Sequence, residues 1–324
     1  MALFGRSRAK RARILFATDL HGSEVVFRKF LNAARVYEAE IAILGGDLTG
    51  KKLVPILEEG DDWRTSIGGQ EHRISDEDGL AAVVDRIRNL GQYPVRVSGE
   101  EHARLQDDAA AVDELFEREC VRQVEHWMQL AAERLQEWGI PIYVTGGNDD
   151  LFSVEHVLDS APYIVNAEGR VLEIAPGVEM ISTGYGNVTP WDCPRDISEE
   201  ELGERIEAMT SRLTDAPHAV FNLHVPPFES GLDQCARLDT SVSPPRPIAG
   251  EEIAAGSTAV RAAIERCGPV LSLHGHIHEA RGVQRLGDTT CVNPGSEYGE
   301  GVLRSAVVDL VPGSDDVNVQ LLAA

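Results

Sequence analysis

A chain of 324 residues with 43% hydrophobic and 26% charged residues has an ordinary globular composition and is long enough to bury a large core. Its formal charge of −23 argues against a nucleic-acid partner, because holding a phosphate backbone needs a basic surface. No apolar run approaches the ~20 residues of a membrane span, so no membrane partner is expected.

The chain opens with a basic stretch, MALFGRSRAKRARILFATD, whose short apolar part and missing cleavage site do not fit a signal peptide; it reads as a basic tail before the first strand. Continuous apolar runs then recur at ILFAT (14–18), IAILG (41–45), PIYVT (141–145), VEMIST (178–183), AVFNL (219–223) and PVLSL (269–273), followed by TTCVN and AVVDL. Such runs predict strands covered on both faces. Helical patterns over 23–38 and 113–139 alternate with them, which predicts an α/β architecture. Strands crowd together between 180 and 320, so part of the sheet structure is expected to be antiparallel or mixed.

Residues 51–112 break the rhythm and read as a lobe inserted into one 1–324 domain, with a hairpin around DDWRTSIGGQEHRI and a helix near GLAAVVDRIRNLG. This lobe offers a cap, with Arg64 or His72 on its rim, or a surface for a homo-oligomer. A second irregular stretch, Pro226–Gly256, reads as a surface loop. Cys120, Cys193, Cys235, Cys267 and Cys291 lie far apart without a C-x-x-C pair, as expected of reduced thiols in a cytoplasmic protein.

The segment GGDLTGKK (45–52) nearly spells a phosphate-cradling P-loop, but Lys52 stands where that loop needs Ser or Thr, and Asp47 lies inside it. Read instead as a strand end that delivers a carboxylate, Asp47 joins a series. TDLHGS supplies Asp19 and His21, TGGNDD supplies Asn148 with Asp149 beside it, NLHVPP supplies His224, and LHGHIH supplies His276 and His278. Each group follows an apolar run, and strand ends of an α/β sheet converge on one edge, where sites form. Seven oxygen and nitrogen donors without a thiolate suffice for two divalent transition ions. The remaining polar neighbours read as structural: His274 as a core or supporting residue, and Asp150 as the cap of a helix starting near Leu151. Thr49 and Lys51 follow Asp47 closely enough to reach a substrate.

The ordered series D-x-H, G-D, G-N-x-D, H-x-P-P and G-H-x-H resembles the calcineurin-like metallophosphoesterases over residues 14–298, and GYGNVTPW (184–191) and VNPGS (292–296) look like their bacterial and archaeal phosphodiesterase-like branch. The resemblance implies a four-layer α/β/β/α sandwich with mixed sheets and a dinuclear centre. In it Asp19, His21 and His278 would hold one metal, Asn148, His224 and His276 the other, and Asp47 would bridge them. The implied cofactors are two divalent ions, with Mn²⁺ or Fe first and Zn²⁺, Ni²⁺ or Co²⁺ also compatible. The implied activity is phosphoester hydrolysis by a metal-bridging hydroxide, on a small soluble phosphate ester such as a cyclic nucleotide or other phosphodiester. Asp47, Asn148 and Asp149 are the candidate catalytic residues. Asp149 departs from the family, many of whose members carry histidine there to protonate the leaving group. The alternative is a catalytically silent scaffold that kept the fold.

Overall fold

In the computed structural model, which describes residues 11–324, the apolar runs pair into two six-stranded sheets packed face to face. Residues 1–10 of the basic tail lie outside the described residues. The first sheet runs in the spatial order Val317–Ala323, Arg304–Leu310, Ala12–Ala17, Ile41–Leu44, Ile142–Val144, Ile164–Asn166. The second runs Gly282–Leu286, Thr289–Asn293, Leu271–Leu273, Val220–Leu223, Val178–Thr183, Val171–Ala175. Each has four parallel strands in its middle or on one side and antiparallel strands at its margins, giving the mixed sheets expected.

Strand periodicity explains the layering. In the first strand Ile14 and Phe16 point into the space between the sheets, where they meet Met180, Val220, Leu271 and Val292. Leu15 and Ala17 alternate to the opposite face, against Phe27, Phe30, Trp127 and Val154 of the helices Glu24–Val36, Ala109–Trp138 and Ser153–Ser160. The second sheet turns Ile181, Phe221 and Leu223 toward Leu202, Ile206, Val260 and Ile264 of the helices Glu199–Thr210 and Thr258–Cys267. Four layers result, α/β/β/α. Local chemistry sets the helix ends: Ser198 and Glu201 form a capping box, Asp108 accepts from Ala111 N–H, and Gly139 and Gly268 close their helices in the left-handed conformation.

Near one rim a polar clip crosses between the sheets. Thr145 Oγ1 and Ser182 Oγ are 2.5 Å apart, and Asn222 Nδ2 donates to both, at 3.2 and 2.6 Å. All three are buried.

The inserted segment is built from a four-stranded sheet, in the order Gln70–Ile74, Asp62–Ile67, Leu53–Glu59, Tyr93–Val97, with helices Glu77–Asn89 and Gly99–Asp107. It has its own apolar cluster of Val54, Ile56, Ile67, Ile74, Leu80 and Ile87. Ser23 Oγ donates to Asn89 C=O at 2.7 Å and Gly50 N–H to Tyr93 Oη at 2.7 Å, tying it to the body. The segment 226–256, expected as a loop, instead contains the antiparallel hairpin Gln234–Asp239/Arg246–Ala254. Its second strand is largely exposed, so no alternating apolar pattern marks it in the sequence.

The long helix is fastened to the first by Trp127, which stacks on Phe27 at 4.3 Å and donates its indole N–H to Glu24 at 2.6 Å. Trp127→Ala should cost about 3–5 kcal/mol, seen as a lower urea midpoint with an unchanged slope. A midpoint equal to that of the wild type would mean that this contact does not hold the helix layer.

Candidate metal centre

The parallel strands of both sheets end at the same edge, and the turns beyond them carry the polar residues: Asp19 and His21 after Ala12–Ala17, Asp47 after Ile41–Leu44, Asn148 and Asp149 after Ile142–Val144, His224 after Val220–Leu223, His276 and His278 after Leu271–Leu273. All eight come together. The ligand atoms of Asp19, His21 and His278 lie within 4.8 Å of one another, as do those of Asp47, His224 and His276, and those of His21, Asp47 and Asp149. Asn148 joins through its Oδ1, 2.9 Å from His276 Nδ1.

The backbone is forced to make this arrangement. Asp19, His21, Asp47 and His276 all have positive φ, between 40° and 65°, a region that non-glycine residues enter at a cost and mostly at functional sites. Close approach also demands glycine: a Cβ on Gly147 would strike Asp47 Oδ1, and one on Gly275 would strike Asp19 Oδ2. These are the glycines of TGGN and HGH.

Backbone donors position the carboxylates. His276 N–H reaches both oxygens of Asp19 at 3.0 Å, and Asp149 N–H donates to Asp47 Oδ1 at 3.1 Å. The imidazoles are left short of partners. His21 Nε2 and His278 Nε2 face each other at 3.1 Å, while His21 Nδ1 and His224 Nε2 are buried without a hydrogen bond. His224 Nε2 lies 3.4 Å from Asp47 Oδ2 without hydrogen-bond alignment. Converging lone pairs and orphaned nitrogens beside two carboxylates fit a divalent cation, and the nitrogen and oxygen donors suit a transition metal.

Electrostatics agree with that fit. Burial pushes His21 down to about 3 and His276 down to about 4, so both are neutral donors at physiological pH. Burial would also lower His224, but the charges of Asp47 and then Asp19 overcome it and raise it to about 9. Asp47 is likewise opposed by burial, yet His224, His21 and Lys51 hold its carboxyl well below the usual range.

Two supporting carboxylates escaped the sequence reading of their roles. Asp150 is fully buried and does not cap a helix; the next helix begins at Ser153. Its oxygens accept from Leu48 N–H (2.9 Å), Thr49 N–H (2.9 Å), Thr49 Oγ1 (2.7 Å) and Gly147 N–H (2.8 Å), stapling the Asp47 turn to the Asn148 turn. This also removes the P-loop option, since amides 48 and 49 serve Asp150, amide 50 serves Tyr93, and a strand follows instead of a helix. Asp196 accepts from Asn148 Nδ2 at 2.8 Å, which turns Asn148 Oδ1 inward, and is itself fixed by Thr189 Oγ1 at 2.6 Å. Buried Arg195 adds contacts to the carbonyls of Asp150 and Leu151 and an ion pair with Glu155. His274 braces the turn of His224, its Nδ1 2.8 Å from Leu223 C=O and 3.1 Å from Val225 C=O. Tyr298 packs its ring 4.8 Å from that of His21.

Asp149 stands on the open side, 31% exposed, with Lys51 Nζ 3.1 Å from its Oδ2. Burial and Asp47 push its pKa up, while Lys51 pulls it down. Beyond them opens a cleft of about 1370 Å³, walled by the helix Ala109–Trp138, the segment 187–194 and the hairpin of 234–254. The expected rim residues are elsewhere: Arg64 pairs with Glu59 at 2.7 Å, and neither it nor His72 lines this cleft.

No family model matches the chain. The four layers are the α/β/β/α sandwich expected, and solved structures share this fold. The protein TT1561 of Thermus thermophilus superposes with a TM-score of 0.53 at 13% identity, over 96% of this chain and 99% of that one. A second solved chain gives 0.54 at 15% identity over the same shares. An archaeal phosphodiesterase structure aligns at 12% identity with a TM-score of 0.35, too low to define a common fold. In sequence, 151 residues are 28% identical to MJ1162, an uncharacterized protein of Methanocaldococcus jannaschii, covering 46% of this chain and 61% of that relative's length. None of the described helices is long and apolar enough to cross a membrane.

Asp150→Asn would set an amide donor against backbone donors. It should cost about 1–3 kcal/mol and speed amide exchange at Leu48 and Thr49. Unchanged exchange at those two amides would show that Asp150 is not the staple.

Proposed function

We propose that the chain is a dinuclear metal-dependent phosphoesterase acting on small soluble phosphodiesters in preference to alkyl monoesters. The observation that carries this reading is the pair of ligand groups at the shared sheet edge, with carboxylates and unpartnered imidazole nitrogens converging. Asp19, His21 and His278 would hold one ion and Asn148, His224 and His276 the other, with Asp47 between them. Mn²⁺ or Fe suits this donor set first, and Zn²⁺, Ni²⁺ or Co²⁺ next. When bound, such ions supply Lewis acidity toward a phosphate and a water acidic enough to react near neutral pH.

The protein's own residues do the positioning. Asp150 and Asp196 fix the two turns that carry Asp47 and Asn148, so the donors need not reorganise when a phosphate arrives. Lys51, half-exposed at the mouth, adds a positive charge on the approach side. Asp149 occupies the place of the expected proton donor and holds Lys51 instead. A leaving group that departs without help is therefore favoured, as in diesters and aryl esters.

A metal-by-substrate screen tests this. Purified protein should bind two ions per chain and hydrolyse bis-p-nitrophenyl phosphate with Mn²⁺, and Asp47→Asn should lose more than the roughly 10–100-fold typical of changes outside the ligand shell. Metal binding without turnover of either a diester or p-nitrophenyl phosphate would identify a silent scaffold. Asp149→His should raise turnover of alkyl phosphates by up to about 10²-fold while barely changing aryl esters; equal changes on both would sink the leaving-group assignment.

A further inference from the structure

The cleft beside the metal centre has a composition of its own. Among the described residues, seven large hydrophobic side chains are exposed, and three of them, Val188, Trp191 and Ile253, line this one cleft. Trp191 leaves 53% of its surface open and Val188 68%. Phe116 and Leu238 add to the same lining from the long helix and the hairpin. Exposed apolar surface gathered in one place and continuous with a polar centre marks a binding surface.

Its charges are one-sided. The acidic groups Asp113, Glu117, Asp192 and Glu279 line it, whereas its basic side chains other than histidine are Lys51 and Arg237. Both cations already face carboxylates: Lys51 pairs with Asp149 and Arg237 with Glu251, each at 3.1 Å. A second anionic group lying along this cleft would meet acids, and no uncommitted cation among the lining residues.

We infer that the cleft receives the non-phosphate arm of the substrate and that this arm is flat, apolar and uncharged. The substrate class is an ester with a single phosphate centre and an aromatic arm, as opposed to a polyphosphate or an oligonucleotide. Trp191 supplies the face on which such an arm stacks, an arrangement that tolerates varied ring chemistry. The acids of the helix Ala109–Trp138 set the exclusion of a second anion. The assignment of the phosphate end rests on the phosphoesterase reading above; that of the arm rests on the cleft walls.

The test measures binding, which needs no turnover. Isothermal titration of the metal-loaded protein compares methylphosphonate, phenylphosphonate and 1,4-phenylenediphosphonate. Phenylphosphonate should bind about 10-fold tighter than methylphosphonate, and Trp191→Ala should bring that ratio close to one while leaving methylphosphonate unchanged. Ile253→Ser, on the other wall, should lower the ratio in the same direction. The second phosphonate group should weaken binding about 10-fold, and Glu117→Lys should restore most of that loss, strengthening the diphosphonate more than phenylphosphonate. Equal affinity for the phenyl and methyl compounds, or tighter binding of the diphosphonate, would overturn the inference. Ester hydrolysis without arm preference would refute this assignment alone. Arm preference without any ester hydrolysis would refute the phosphoesterase reading and leave the cleft assignment standing.

Discussion

Two carboxylates, Asp19 and Asp47, are buried side by side where the edges of the two sheets meet, and the surrounding structure answers the cost of putting negative charge there. An uncompensated buried charge costs several kcal/mol. Backbone amides from His276 and Asp149 supply part of the compensation. The imidazoles of His224 and His278 supply more, yet these contacts are too long or too poorly aligned to satisfy every atom. A site so built leaves buried imidazole nitrogens without partners, and its converging side chains could hold a cation. The strained φ angles of four of its residues follow from the same constraint, since the fold accepts local distortion to aim donors at one point.

What surrounds the carboxylates is arranged in tiers. Asp150 and Asp196 touch no candidate cation position through the chain's own contacts, but each holds a turn that does. Arg195 in turn holds the carbonyls of Asp150 and Leu151, with Phe152 and Tyr185 against its guanidinium. Rigidity at the donors is thus inherited from residues two contacts away.

Much of this was legible in the sequence because its physics is local. Continuous apolar strands and the helical patterns over 23–38 and 113–139 mark the layers, and a polar residue directly after each buried strand marks the edge. The inward Ile14 and Phe16 and outward Leu15 are equally apolar, so a sequence cannot say which of them faces the second sheet; only the partner layer decides. Long-range roles were hidden for a similar reason. Asp150 follows a turn and precedes a helix, which is the pattern of a cap, and nothing nearby reveals its bonds to Leu48 and Thr49, which lie 102 and 101 positions earlier. Asp196 sits in DCPRD, a stretch with no spacing relation to Asn148. The hairpin of 234–254 lacked a signal because it packs little of itself against the core.

The polar clip of Thr145, Ser182 and Asn222 has a consequence for ion choice. Stacked sheets joined only by apolar side chains can slide or breathe by small amounts, because dispersion contacts are soft in direction. Hydrogen bonds across the gap between Thr145 and Ser182, at 2.5 Å, and from Asn222 to Thr145, at 3.2 Å, resist that movement just beneath the turns of the polar cluster. The turns of the first sheet, with Asp19, His21, Asp47 and Asn148, are therefore gauged against those of the second, with His224, His276 and His278, by a spacer independent of any ion. On the metal reading proposed above, cations of different radius would have to fit that span or bend turns already strained, which would make selectivity a matter of mechanical stiffness as much as of donor chemistry.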